Sequence, residues 1–328
     1  MTIPDLDESN QLLKHQVAHE HCGQRVDQVA AEVFSSYSRA RLQIWIKSGR
    51  LKVDGKPCKP KNKVYGGERM VLLPEADEQQ SWGPEAIDLD LVHSDEDVIV
   101  INKPAGLVVH PGAANASGTL LNGLLYRFPE LSTIPRAGIV HRLDKDTTGL
   151  MVVARSLKSH YALIKQLQTR TMGREYEALV MGELLTGGTV HTFMGRHPRN
   201  RLKMSVIPES SRAKEAITHY RVECRFPGYT HVICRLETGR THQIRVHMCH
   251  IRHPLIGDSL YSGRQRWKSG TTESLKQQLL QFNRQALHAR RLTLIHPGSG
   301  RECSWFVSMP TEMQDLLHAL RDEPRIDS

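Results

Sequence analysis

Three stretches of this chain gather side chains that do chemistry. Between Gly138 and Gly149 lie His141, Arg142, Asp144, Lys145, Asp146, Thr147 and Thr148, directly ahead of the apolar run LMVVA at 150–154. A polar segment feeding a core strand sets its side chains at a sheet edge, where clefts form. Asp144 and Asp146 both offer a carboxylate, and spacing does not choose between them. The same residues also fit a charged loop closed by its own salt bridges. The second stretch is RLETGRTHQIRVHMCHIRHPLIGD, 235–258. Its Arg240 and Arg245 are rigid multi-donor groups suited to a carboxylate or phosphate. Thr241 is the expected cap of a following helix. His242, His247, His250 and His253 invite a zinc reading, but there is no H-E-x-x-H pattern and Cys249 completes no ligand spacing. Satisfied polar histidines are expected instead. The third stretch, GREYEALVMG at 173–182, starts an alternating strand in which Tyr176 shares a face with Ala178 and Val180. Such a tyrosine is ordinarily core.

The elements that must position these groups are read from periodicity. VIVIN from Val98, LMVVA at 150–154, YEALVMG at 176–182 and HVICRLE at 231–237 read as strands, and HALRD near the end as part of a closing helix. Many strands, few long helices and long loops argue for a mixed α+β sheet domain. The segment 21–75 differs. Eleven Lys or Arg against five acids give it a charge of +6, two-thirds of the +9 of the whole chain of 328 residues. Val26, Val29, Ala30 and Val33 recur at helical spacing, and Ser38 is placed to cap a second helix carrying Leu42, Trp45 and Ile46. RLKVDGKPC then reads as a hairpin turning at Asp-Gly. Residues 76–97 carry eight acids and no Lys or Arg, the pattern of a linker and the approach to a new domain.

The basic excess points to a polyanionic partner. Six cysteines without C-x-x-C spacing exclude a disulfide-framed secreted fold and fit reduced thiols in the cytoplasm. The first residues are acidic where a signal peptide is apolar, and no apolar run approaches the roughly 20 residues of a membrane span. A cytoplasmic protein without membrane association is expected.

Taken together, HRLDKDTTGLMVVA at 141–154, REYEALVMG at 174–182 and TGRTHQIRVH at 238–247 resemble the catalytic, tyrosine and arginine motifs of the RluA-type family of pseudouridine synthases. INKPAGLVVHPG at 101–112, HPLIGDSLYSG at 253–263 and QALHARRLTLIHP at 285–297 match in the same order, so the resemblance spans about 88–312. SRARLQIWIKSGRLKVDGK at 38–56 resembles the S4 RNA-binding domain found ahead of many such enzymes.

The resemblance implies a leader (1–20), an S4-like domain of α/β type (21–75), an acidic linker (76–87) and a catalytic domain (88–328). The catalytic domain is expected to be a largely antiparallel mixed sheet with flanking helices and a central cleft. It implies isomerisation of uridine to pseudouridine, most closely in the manner of the subgroup acting on a large-subunit ribosomal RNA helix–loop at the subunit interface, helix 69. Another ribosomal site, a transfer RNA, or a non-catalytic assembly role are the alternatives. Asp144 would be the catalytic carboxylate, Tyr176 the active-site aromatic, Arg245 the partner that keeps Asp144 ionised, and Arg142 the group entering the vacated RNA stack. Asp146 would be structural. Arg39, Arg41, Lys47 and Arg240 are the expected RNA contacts, with Arg196, Arg199, Arg201, Lys203, Arg264, Arg266 and Lys268 as further backbone contacts. Substrate and product are isomers, so no cofactor or metal is demanded. The expected partner is large-subunit ribosomal RNA or a precursor of that subunit, with the chain working as a monomer and no obligate protein partner.

Overall fold

The computed structural model describes residues 6–7, 12–34, 37, 39–74, 82–112, 115–200, 202–210, 213–263 and 270–324. Contacts divide the chain into two units, Met1–Ser81 and Trp82–Ser328.

In the N-terminal unit, β1 (Leu6–Asp7) and β2 (Leu12–Gln16) precede α1 (Val26–Val33) and α2 (Arg39–Lys47), followed by β3 (Leu51–Val53), β4 (Lys56–Pro57) and β5 (Arg69–Leu72). The strands form an antiparallel sheet in the order β1-β2-β5-β3-β4. The helices bury the expected stripe: Val26, Val29, Ala30, Leu42, Trp45 and Ile46 meet Leu51, Met70 and Leu72 in one core. Asp54 and Gly55 both take left-handed backbone (φ 49° and 72°), which closes the β3–β4 hairpin with the twist that two-residue turns require. Ser38, the expected cap of α2, lies outside the described residues. The expected leader supplies β2, whose Leu13 pairs with Leu72. Of the expected acidic linker, residues 82–87 belong to the second unit, where Trp82 and Ile87 pack on its main core.

The second unit holds β6 (Leu91–Ser94), β7 (Val98–Lys103), α3 (Leu120–Arg127), β8 (Thr148–Ala154), α4 (Leu157–Gln168), β9 (Gly173–Met181), β10 (Gly188–Arg196), β11 (Met204–Val206), β12 (Lys214–Phe226), β13 (Tyr229–Leu236), α5 (Gln243–His250), α6 (Glu273–Gln281), β14 (Leu287–Ile295), β15 (Glu302–Phe306) and α7 (Thr311–Asp322). Ten strands form one sheet in the order β11-β10-β12-β13-β9-β14-β8-β7-β6, with β15 on β14. Every ladder is antiparallel except β8 with β14. This is the mixed α+β sheet that the strand pattern implies. β8 is buried along its whole length, so it reads as a continuous apolar run rather than an alternating one. One face packs on α3 and the loops before β8, the other on α4. α6 and α7 cover the β9–β13 end.

The segment between β7 and β8 is fixed by two glycines that admit no side chain. At Gly138 (φ 77°) an added Cβ would lie 1.9 Å from the Ala154 carbonyl oxygen, and at Gly149 (φ 107°) 2.3 Å from that of Ala289. The polar loop therefore leaves and rejoins the sheet at sites where backbone meets backbone. We expect Gly149→Ala to cost about 2–5 kcal/mol, combining left-handed strain with overpacking. Gly112→Ala, where a Cβ meets nothing within 4 Å, is expected to change stability by less than about 0.5 kcal/mol. Denaturant melts of the two variants test the contrast.

Candidate active site

The loop that presents Asp144 is held from beneath by groups that bond its backbone. Lys103, wholly buried at the end of β7, donates from Nζ to the carbonyls of Pro104 (2.7 Å), Leu107 (3.0 Å) and Lys145 (2.8 Å). Burial pushes its pKa down to about 8, with Asp146 and Asp144 opposing the fall. Arg284 donates to the Asp146 carbonyl (3.3 Å), and Gln285 to the Thr147 hydroxyl (3.1 Å). His141 faces inward, its Nε2 accepting the Val152 N–H at 3.0 Å. Burial, aided by Arg174, holds it neutral, with a pKa of about 3. Of the two candidate carboxylates, Asp144 lines the cleft and Asp146 does not.

Across the cleft, α5 brings up Arg245. Its Nη1 donates to Asp144 Oδ2 at 2.8 Å, while Nε and Nη2 grip Asp258 at 2.7 and 2.9 Å. Asp258 also accepts the N–H groups of Leu260 and Tyr261, so the turn carrying Tyr261 is built on the same carboxylate. Burial opposes the charge of Arg245, but the bond to Asp258 and the charges of Asp258 and Asp144 more than reverse this, and its pKa is raised. Thr241 is not the helix cap expected of it. α5 begins one residue later, after His242 in left-handed backbone (φ 57°, ψ 23°). Buried Gln243 supplies the polar partners instead: its Oε1 accepts from Arg240 N and the Thr238 hydroxyl, and its Nε2 donates to the Ile217 carbonyl and the Thr218 hydroxyl.

Tyr176 of β9 forms the floor of this cleft of about 620 Å³, and burial raises the pKa of its phenol, which stays protonated. Arg142 stands exposed on the rim and Arg240 on the wall, its Nε bound to the Glu215 carbonyl at 2.8 Å. Three further residues went unremarked in the sequence. Arg136, exposed and with left-handed backbone (φ 55°), borders the cleft with His110, whose pKa burial and the nearby Arg136 and Arg142 push down to about 4. Arg174 is 7% exposed and its Nε is buried without a partner. Only its position two residues before Tyr176 in the third motif could have drawn notice.

Arg39, Arg41 and Lys47 belong to the N-terminal unit. Arg41 stacks over Trp45 (4.9 Å), and Lys47 lines a groove with Arg25, Lys59 and Lys61. Arg39 and Arg25 bind Asp27, whose side chain is fully buried, at 2.8 and 2.9 Å. Burial alone would raise the Asp27 pKa; the bonds from Arg25, Arg39 and Gln43 overcome it and bring the value to about 2. Among the expected backbone contacts, Arg201, Arg264, Arg266 and Lys268 lie outside the described residues.

The histidines of the second motif do not gather around a metal. His247 is bonded on both nitrogens by Thr218 (2.8 Å) and Thr192 (3.0 Å), and His253 by the Met181 carbonyl (2.9 Å). Among the described residues the one cluster with ligand-like spacing is His93, Asp95 and His296. There His296 Nδ1 accepts two backbone N–H groups, which puts the ring proton on Nε2, the atom a metal would need. No helix among the described residues is long and apolar enough to cross a membrane.

A mixed sheet whose cleft presents one carboxylate, bonded by a buried arginine and floored by a tyrosine, in a chain that also carries a small basic helix–sheet unit, has the make-up of an RNA-modifying enzyme. The sequence pattern of the family described as RNA pseudouridylate synthase matches residues 97–250, and that of the S4 domain matches 24–69. The chain is 51% identical over 306 residues to ribosomal large subunit pseudouridine synthase D of Salmonella typhimurium, covering 93% of each. It is 50% identical over 308 residues to the protein of that name from Pseudomonas aeruginosa, covering 94% of this chain and 95% of that one. Among solved structures, human RNA pseudouridylate synthase domain containing 4 superposes with a TM-score of 0.56 at 26% identity, over 71% of this chain and 93% of its own. The chain belongs to the RNA pseudouridylate synthase family, with an S4 domain ahead of the catalytic sheet.

Two outcomes follow from the ion pairs. Asp258→Ala leaves buried Arg245 short of its main counter-charge and should cost about 3–5 kcal/mol in denaturant melts. Asp27 has a depressed folded pKa, so its contribution is complete above the ordinary value of 3.8 and is lost as pH falls through about 2. That gap corresponds to roughly 2 kcal/mol. Hydrogen exchange of α1 and α2, corrected for intrinsic rate, should show this loss in the natural protein and not in Asp27→Asn.

Proposed function

We propose that the protein isomerises uridine to pseudouridine in large-subunit ribosomal RNA, in the helix 69 loop at the subunit interface, with Asp144 as the essential carboxylate. The observation that carries this reading is the bond from buried Arg245 to Asp144 Oδ2 at 2.8 Å within the cleft. The large-subunit target is supported by relatives matched over nearly the whole chain, which are ribosomal large subunit pseudouridine synthases. The reaction breaks the N1–C1′ bond, turns the uracil and joins C5 to C1′. Whether the carboxylate attacks C1′ or takes the C2′ proton, it must be held in place, and the bond from Arg245 holds it. One carboxylate suffices because no water is activated, unlike the paired carboxylates of glycosidases.

Tyr176 offers its ring face to the turning base. Its burial and protonated phenol favour stacking over proton abstraction. The target nucleotide must be flipped out, at a cost of a few kcal/mol, and Arg142 on the rim fills the space it leaves. Arg240, and Lys47 with Arg39 and Arg41 in the S4 unit, follow the RNA backbone. The isomerisation needs no cofactor. The chain acts as a monomer in the cytoplasm, in keeping with its six free cysteines.

Carbodiimide mapping of pseudouridine in cells with the gene intact, deleted or restored as Asp144→Asn tests the proposal. Loss of a cluster in one large-subunit loop, restored by the natural protein and not by Asp144→Asn, is expected. Loss confined to transfer RNA would keep the chemistry and overturn the target. Full rescue by Asp144→Asn would overturn the catalytic assignment.

A further inference from the structure

The second oxygen of Asp144 has its own neighbour. His242 sits at the start of α5 in left-handed backbone, a conformation that histidine adopts at a cost of order 1–2 kcal/mol. Its Nδ1 lies 2.8 Å from the Tyr261 hydroxyl, which already accepts the Met204 N–H at 2.8 Å. Tyr261 is protonated, burial having raised its pKa. A Tyr261 hydroxyl that accepts from Met204 and donates to His242 Nδ1 leaves the imidazole proton on Nε2. That nitrogen lies 3.8 Å from Asp144 Oδ1, the oxygen Arg245 leaves free.

We propose that His242 is a positioning residue for Asp144, its Nε2–H fixed by Tyr261 and directed at the carboxylate oxygen that Arg245 does not hold. The inference rests on the reading of Asp144 as the essential carboxylate. At 3.8 Å the bond is open, as bonds in unliganded sites commonly are before substrate draws them in. A neutral donor suits this position, because it orients the oxygen without adding a second cation that would weaken the carboxylate as nucleophile or base. Burial lowers the His242 pKa and keeps the ring neutral. Tyr261 serves both donors, because its ring lies 5.0 Å from the Arg245 guanidinium and its backbone N–H rests on Asp258.

The test compares His242→Gln with His242→Asn in the full-length enzyme under single-turnover conditions. Gln carries a donor with the reach of Nε2 but tolerates left-handed backbone poorly. Asn tolerates that backbone but does not reach Asp144. The expected result is a roughly tenfold fall in the maximal single-turnover rate for His242→Asn and a smaller one for His242→Gln, with the enzyme concentration at half-maximal rate little changed. A purely structural role predicts the opposite order. Equal rates in the two variants, or the better rate in His242→Asn, overturn the proposal. Nitrogen NMR of labelled histidine should place the proton on Nε2 in the natural protein and release that preference in Tyr261→Phe; a proton on Nδ1 also overturns it. Asp144→Asn is assayed alongside. If it turns over normally, the reading of Asp144 fails; if it is inactive while the His242 variants rank the other way, only the role of His242 fails.

Discussion

One guanidinium divided between two carboxylates is the interaction on which the site depends. Arg245 gives two of its donors to Asp258 and one to Asp144. Such an arrangement is a poor source of stability, since desolvating three charges costs about as much as their attraction returns. What it gives is direction. The planar fork ties the α5 backbone to the turn after it, and the donor left over can point only where Asp144 must be. Loop 138–149 has to meet that donor, and the glycine contacts at its two ends, with Lys103 beneath it, remove the freedom to do otherwise.

The same economy governs the other cations. Arg25 and Arg39 are partly committed to Asp27, and Arg240 to a backbone carbonyl, so they are oriented before any ligand arrives. Arg142 and Arg136 stand exposed at the cleft. A formal charge of +9 therefore overstates what is free to meet a polyanion, and location tells more than the total.

Much of the frame was legible because it is local. Apolar runs gave away β7, β8, β9 and β13, and Asp-Gly between two short strands gave away the β3–β4 hairpin. What escaped notice depends on partners far apart in the chain. Asp258 acquires its importance only when α5 folds against it, and spacing leaves Asp144 and Asp146 equivalent, so the choice of Asp144 and its pairing with Arg245, about a hundred residues on, came from the family resemblance alone. Thr241 has the chemistry of a helix cap, yet α5 starts one residue later, after His242 in left-handed backbone, and the side chain of buried Gln243 turns back to accept the Arg240 N–H. β2 was hidden because its five residues, most of them half-buried, carry no strong pattern until β5 pairs with them.

The strained residues argue in the same direction. Six described residues other than glycine have left-handed backbone, and three of them, Arg136, Ala137 and His242, border or adjoin the cleft. Each costs of order 1–2 kcal/mol, and such conformations persist only where surrounding contacts over-determine them. Arg136 and Ala137 run straight into Gly138, whose close approach to Ala154 admits no alternative path. His242 lies between the turn pinned by Gln243 and the hydroxyl of Tyr261. Relaxing the backbone at either place would swing a polar side chain out of the cleft. Half of this strain thus falls in the two segments that border the cleft around Asp144, and the contacts that hold those segments to the sheet sustain it.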